Sequence, residues 1–548
     1  MQASCFTLRT QYAAITVVSV LVASATSSSN GQVLRTVALS GQPAPGPPGF
    51  RFGNRFERVL LNNAGDVAIQ MDGLGALYPS IWLDHGPGLE FVVHGAMQAP
   101  GLAVGLPFGH IENLVLGNGG HIAFMGNRGV WSTKNGALKP VALVAPPPIL
   151  GIEGPAIHNI FNASLAINRD GNVAFNPLSI FDSQVKGALW SDRGGSAAVE
   201  LRDGGQAPGM LPGTEFYALS LSTFAMNDAG HVLFEGAADP VVAIDGIWVD
   251  RGAGFELAVG EDMPAPGAPG AVFGGQGGMA LNNRGDFAFQ GSLRAAPGGG
   301  DVNVNNDQGF WATSNGSLQL VVRKGDPAPG ITGGAFYDFT TSSVELNDSG
   351  KIVFTSLLAG PGIASTFQRS IWTSEAGVHK LLARSDEQVP GAPAGVVFQS
   401  IASPSINFAG QVAFQAGIID GGDSRGYRDS LWATDCFGVL RLIARRGETI
   451  DVDPGSGVDV REILDVRFGD SLGSPNDRAS GGDVAFNDRG QIAFLAQFTD
   501  GTSGAFVSNL VAVPEPGGVA LLSVAGIVWS AFRRDVRALG REKEGDRN

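Results

Sequence analysis

Two cysteines, five tyrosines and seven histidines in 548 residues leave the chain poor in the side chains that carry redox, metal and nucleophilic chemistry. Cys5 falls in a leader-like N-terminal segment, so Cys436 has no second cysteine for an internal disulfide and the body must fold without disulfides. Basic residues are also scarce: 36 Lys+Arg face 51 Asp+Glu, a formal charge of −15. Nucleic-acid affinity rests on neutralising backbone phosphates, so this balance excludes nucleic acid as a partner. HExxH, Walker and CxxC patterns are absent, and no GxSxG phrase reads as a strand-to-helix nucleophile elbow. His121 and His231 directly follow glycines, at places that other repeats fill with Asp, Asn, Lys or Gln, and read as exposed strand residues. No catalytic residue is assigned. What is abundant is glycine (80), proline (31) and hydrophobic side chains (44%), enough to build a core and too apolar for a disordered body.

One phrase recurs eight times: LNNAGDVAI, LGNGGHIAF, INRDGNVAF, MNDAGHVLF, LNNRGDFAF, LNDSGKIVF, INFAGQVAF and FNDRGQIAF. Its glycines are Gly65, Gly120, Gly171, Gly230, Gly285, Gly350, Gly410 and Gly490, a spacing that marks one supersecondary unit per repeat. Physically the phrase is a hairpin. An apolar residue ends one strand, Asn opens the turn, Gly supplies a positive φ, and a strand resumes. Asn62, Asn168, Asn227, Asn282, Asn347, Asn407 and Asn487 hold the opening place, and Gly117 departs from it. An Asn there can hydrogen-bond its own turn, so its expected role is structural.

Each unit continues to a small residue, an apolar residue and an aromatic one: Trp82, Trp131, Trp190, Trp248, Trp311, Trp372, Trp432 and, in the eighth unit, Phe506. An aromatic recurring at one β-compatible place is a shared core position. A further strand such as LQLVVRKGD, a Pro/Gly loop such as PAPG and another extended stretch complete four strands per unit. The expected fold is all-β: an eight-bladed β-propeller of four-stranded blades spanning residues 33–510. GQVLRTVALSGQPAPG reads as a fourth strand and loop without the first three, while the eighth unit stops after its third strand at AFVSNLVAV. The two ends therefore complete one blade. An open array is the alternative, and it leaves unpaired edges that β proteins generally avoid.

Both ends also read as addresses. Arg9, the run YAAITVVSVLVASA and Ala23-Ser24-Ala25 form a signal peptide over residues 1–25, with an uncleaved anchor as the alternative. Pro514-Glu515-Pro516 precedes GGVALLSVAGIVWSAF and then Arg533-Arg534, delimiting a segment 513–534 ahead of a basic-acidic tail, 535–548. This arrangement resembles the PEP-CTERM sorting signal of Gram-negative bacteria. The resemblance implies an exosortase-type processing enzyme as partner and passage through the membrane by the C-terminal segment. An ordinary transmembrane helix that is never processed is the alternative. Together with the tandem phrase, the chain resembles the choice-of-anchor tandem repeat NxxGxxAF-containing proteins. That implies an exported, cell-surface or extracellular protein and contributes no catalytic residues.

Candidate site residues lie on the face opposite the NxxG turns, where loop length varies most. Asp203, Glu261, Asp262, Asp326, Asp386, Glu387 and Glu448 supply acids to five consecutive loops, a candidate face for a cation or a hydroxyl-rich ligand. Asp301, Asn303, Asn305 and Asp307 alternate oxygen-bearing side chains as a Ca²⁺ loop does, without the EF-hand glycine and glutamate; no other cofactor is expected. Two functions follow. The first is a non-catalytic surface or matrix protein binding extracellular polysaccharide or a surface protein. The alternative is a propeller enzyme acting on extracellular glycans through loop-face carboxylates, among which the residues select no pair.

Overall fold

Strand order in space follows strand order in sequence, because each NxxG turn folds its two flanking strands directly against each other. In blade 1, Phe56–Leu61, Val67–Met71, Ser80–Asp84 and Leu89–His94 form one antiparallel sheet, here lettered a to d from the channel outward. Eight such sheets succeed one another around a ring, an eight-bladed β-propeller of four-stranded blades. The computed structural model describes residues 34–512 except 72–78, 145–155, 161–162, 182–183, 218, 220–222, 240–243, 315, 340–342, 362, 364–367, 421–427, 454–456 and 469–484. The predicted leader 1–25, Pro514, Glu515, Pro516, Arg533, Arg534 and the tail 535–548 lie outside the described residues. Among the described residues no helix is long and apolar enough to cross a membrane.

The ring closes as the two chain ends require. Leu34–Leu39 pairs antiparallel with Ser503–Ser508, with Leu34 opposite Ser508, and becomes the outer strand of blade 8. The inner strand of that blade is Val460–Phe468, with Thr449–Asp451 paired to it as an additional strand. Part of the segment after Gly447 is therefore strand. The inner strands of three other blades are interrupted, as in Phe216–Tyr217 and Phe224–Met226 of blade 4.

The tryptophans are core, and their setting repeats. All seven are buried, and in each of their blades a β-bulge falls just before the indole. A bulge increases local twist, which suits blades splayed about an axis. A phenylalanine on strand a, or on the loop leading into it, meets the indole edge-on, at 4.8 to 5.4 Å between centroids in six blades. In four blades the indole N–H donates to a proline carbonyl of the preceding PxPG-type loop: Trp82 to Pro45, Trp131 to Pro100, Trp248 to Pro208 and Trp311 to Pro266. The Pro/Gly loop thus closes the lid of the next blade's core.

The NxxG turns do more than reverse the chain. Their glycines all have positive φ, from 76° to 91°. In six blades the Asn uses both ends of its amide: in blade 8 Asn487 Oδ1 accepts the N–H groups of Arg489 and Gln491, while Nδ2 donates to Asn62 O of blade 1 at 2.9 Å. The same inter-blade bond runs from Asn62 to Gly117, Asn227 to Asn282, Asn282 to Asn347, Asn347 to Asn407 and Asn407 to Asn487. Gly117 departs from the pattern for a steric reason. A Cβ there would sit 2.6 Å from Asn168 O.

Candidate functional site

The inner rim on the NxxG side is built by the residue after each Asn. The backbone N–H groups of Asn63, Asp228, Asn283, Phe408 and Asp488 donate to the side chains of Asn118, Asn283, Asp348, Asp488 and Asn63 respectively, each in the next blade, at 2.7 to 2.9 Å. Asn118 Nδ2 also reaches Asp228 Oδ2 at 2.8 Å, a bond from blade 2 to blade 4 that narrows this end. Burial pushes the Asp228 and Asp488 carboxyls above the usual carboxylate range, and Asp348 adds to both shifts. Bonds from Asn118 and from the Phe408 N–H respectively oppose them. In the sequence this second NxxG place reads only as part of the turn. Its signal was present in the run of Asn and Asp at one repeat position.

A second layer of inter-blade bonds comes from the residue after the NxxGxxAF phrase. Gln70 Nε2 donates to Ile111 O of blade 2, and Gln415 Nε2 to Val466 O of blade 8. Blade 4 has Glu235 in this place. Burial pushes its carboxyl up; the Thr223 Oγ1 bond at 2.9 Å opposes the shift and Asp245 adds to it. A raised carboxyl pKa contributes stability when protonated that is lost as pH rises through the folded-state value. Glu235→Gln is therefore expected to raise the unfolding free energy near pH 7 by about 1 kcal/mol. The gain should fade as pH falls below the unfolded glutamate value, as checked by urea titrations at several pH values.

On the opposite face the acids of the five loops are held locally. Asp203 accepts the Gly187 and Leu219 N–H groups at 2.8 and 2.9 Å. Glu261 and Asp262 both meet Arg294, at 2.9 and 2.8 Å. Asp326 accepts the Arg323 N–H, Asp386 accepts Gln368 Nε2, and Glu448 pairs with Arg445 at 2.9 Å. Glu387 follows Asp386 in its turn. These acids occupy three successive places of a shared turn rather than one. Asp262 and Asp386 sit at its left-handed position, φ 65° and 64°, which Gly204, Gly325 and Gly447 hold in the other three loops. Aspartate tolerates that conformation better than most residues.

In the 301–307 loop, Asn303 Nδ2 donates to Asp301 Oδ1 at 3.0 Å and Asn305 N–H donates to Asn303 Oδ1. Asp307 pairs with Lys324 at 3.0 Å. Among the described residues no group of three or more His, Cys, Asp or Glu side chains is placed to hold a metal ion.

A concavity lies at the seam. Between blades 8 and 1, at the loop-face end of their inner strands, a cleft of ≈ 270 Å³ is lined by Arg55, Glu57, Asp465, Arg467 and Gln497 with Asn54 and Ser503. Gln70 Nε2 donates to Glu57 Oε2 at 3.0 Å, and Arg467 Nε to Asp465 Oδ2 at 3.0 Å. Ser503 Oγ fixes the rim by donating to Asn54 O at 2.9 Å. The cleft presents forked donors beside carboxylate acceptors, a set that hydrogen-bonds hydroxyl and carboxylate groups. None of its charged residues belongs to the repeated phrases. Strand pairing across the seam brings them together.

None of the curated proteins compared matches the chain. Among solved structures, the β-propeller domain of the Trilobed protease from Pyrococcus furiosus is similar at 10% identity, covering 71% of this chain and 98% of that one with a TM-score of 0.35. The polysaccharide lyase Uly1 is similar at 10% identity over 73% and 97% of the two chains, TM-score 0.33. An oligogalacturonate lyase in complex with manganese is similar at 9% identity over 87% and 98%, TM-score 0.31. At these values none of them bears on activity. A family profile matches residues 18–142 and 126–520, so the repeats and their closing strands together place the chain in the family of unknown function DUF7453.

Proposed function

We infer that this protein is an exported, non-catalytic binding propeller of the cell surface or extracellular matrix, sorted by an exosortase-type enzyme through Pro514-Glu515-Pro516 and Arg533-Arg534. The observation that carries the binding half of this reading is the seam cleft. Its guanidinium and carboxylate groups lie on the loop face, on a ring that hydrogen bonds hold rigid. Its ligand class is extracellular polysaccharide, whose hydroxyl and uronate groups match forked arginine donors and carboxylate acceptors. The address half is supported by the leader at 1–25 and the PEP-type segment at 513–534.

Retention of the purified protein on immobilised polygalacturonate tests the binding role. Arg467→Ala is expected to weaken retention about tenfold, the cost of a lost charge-assisted hydrogen bond at a half-exposed site. Unchanged retention in Arg467→Ala would remove the cleft from the reading. A wild-type protein that binds no polysaccharide yet fractionates with the cell envelope would favour a structural role.

A further inference from the structure

Both chain ends leave the ring on the NxxG face. Strand c of blade 8 ends at Ser508 on that side, and residues 509–512 turn back over blade 7. There Gln411 Nε2 donates to both Thr434 O and Val511 O, at 3.1 and 2.9 Å. Val511 is buried between blades 7 and 8, whereas its neighbour Leu510 is 46% exposed. Just outward, the c–d turn of blade 7 presents Phe437 and Val439 at 39% and 47% exposure, and that of blade 6 presents Val378 at 71%. The two turns adjoin, since a Cβ on Gly438 would lie 3.8 Å from Lys380 Nζ of blade 6. Among the described residues, every exposed large hydrophobic on the NxxG face belongs to blades 6, 7 and 8. On the opposite face such residues, Val104, Leu211, Val304 and Val458 among them, are distributed around the ring.

The chain beyond Ala512 limits what can cover this sector. Residues 513–518 reach at most about 20 Å fully extended, and the apolar run begins at Val519. If that run enters a bilayer, as the proposed function holds, the exit point cannot stand far from the lipid surface. We propose that the sector of the NxxG face formed by Val378, Phe437, Val439 and Leu510 docks on the membrane surface beside the C-terminal segment, turning the seam cleft and the loop face outward. The sector is suited to the bilayer interface: isolated apolar side chains are accommodated there, and Lys380 alongside favours anionic headgroups.

The test uses the full chain in phosphatidylcholine/phosphatidylglycerol vesicles, with a bimane label on Val439→Cys in a C5A/C436S background. Val104→Cys on the loop face is the control. Flotation of the chain with the vesicles is read first, because failure to float would remove the anchor reading and this proposal with it. With the chain afloat, acyl-brominated lipid is expected to quench the label at 439 at least twofold and to leave the label at 104 unchanged. A floating chain whose 439 label is not quenched overturns the docking alone, with the anchor reading intact. That outcome includes a label shielded from water by a second copy or by residues 519–532 folded back. Leu510→Cys repeats the measurement should Val439→Cys fail to fold, with the same two outcomes.

Discussion

Asn487→Asp is expected to cost about 2 kcal/mol of unfolding free energy near pH 7, the penalty for removing a buried donor and leaving its acceptors facing a like dipole or charge. The exchange preserves shape and keeps Oδ1, which accepts the Arg489 and Gln491 N–H groups. It removes Nδ2, which donates to Asn62 O across the seam and to Gln491 Oε1, both at 2.9 Å. This junction joins residues 425 apart in sequence. Its loss is therefore expected to loosen the pairing of Leu34–Leu39 as well, and to speed limited proteolysis near residue 34. Asn347→Asp makes the same chemical change inside the ring, where the chain itself holds blades 6 and 7 together, and should lose stability without the proteolytic sensitivity. Acidification should restore part of the Asn487→Asp loss, because a protonated carboxyl can donate to Asn62 O. A urea midpoint for Asn487→Asp indistinguishable from wild type would mean that the inter-blade amide bonds do not hold the ring.

Trp311→Ala is expected to cost about 4 kcal/mol, the range for truncating a fully buried aromatic. The indole is 0% exposed, meets Phe273 at 5.0 Å edge-on and stacks on Phe289 at 6.0 Å. Its Nε1 donates to Pro266 O at 2.9 Å, so truncation also releases the PAPG loop that closes the blade. The pocket is cut to this ring: a Cβ on Gly291 or Gly309 would come within 2.8 or 3.0 Å of indole atoms. Trp311→Phe keeps most of the burial and loses the Pro266 bond, so its expected loss is about half as large. Denaturant unfolding followed by far-UV circular dichroism measures both. Equal losses for the two substitutions would mean that the indole N–H, rather than ring volume, dominates the site.

Most of the architecture was legible because it is repeated. A residue type that returns at one place in eight units reports a shared environment, and the buried tryptophans and the positive-φ glycines are the two clearest cases. The missing fourth strand of the eighth unit, set against the surplus strand at 34–39, was enough to close the ring. The phenylalanines that meet the indoles were harder to see, because Phe52, Phe108, Phe216 and Phe273 follow loops of different length and keep no fixed distance from their tryptophan.

By itself the sequence determined the periodic features: the number of blades, the strand alternation, the turn chemistry, the aromatic core and the way the ends meet. These are local and recur, so their physics can be read within one unit and checked in seven others. Only the tertiary structure decided where the unique residues go. The loop acids shared a stretch of sequence, yet they occupy different places in their turns and bond to different neighbours. Arg55, Glu57, Asp465 and Arg467 gave no common signal over some four hundred residues of separation, yet ring closure sets them around one cleft. The Asn amides show why: a repeated side chain can specify that blades join, but which surfaces face each other across a joint depends on the closed ring.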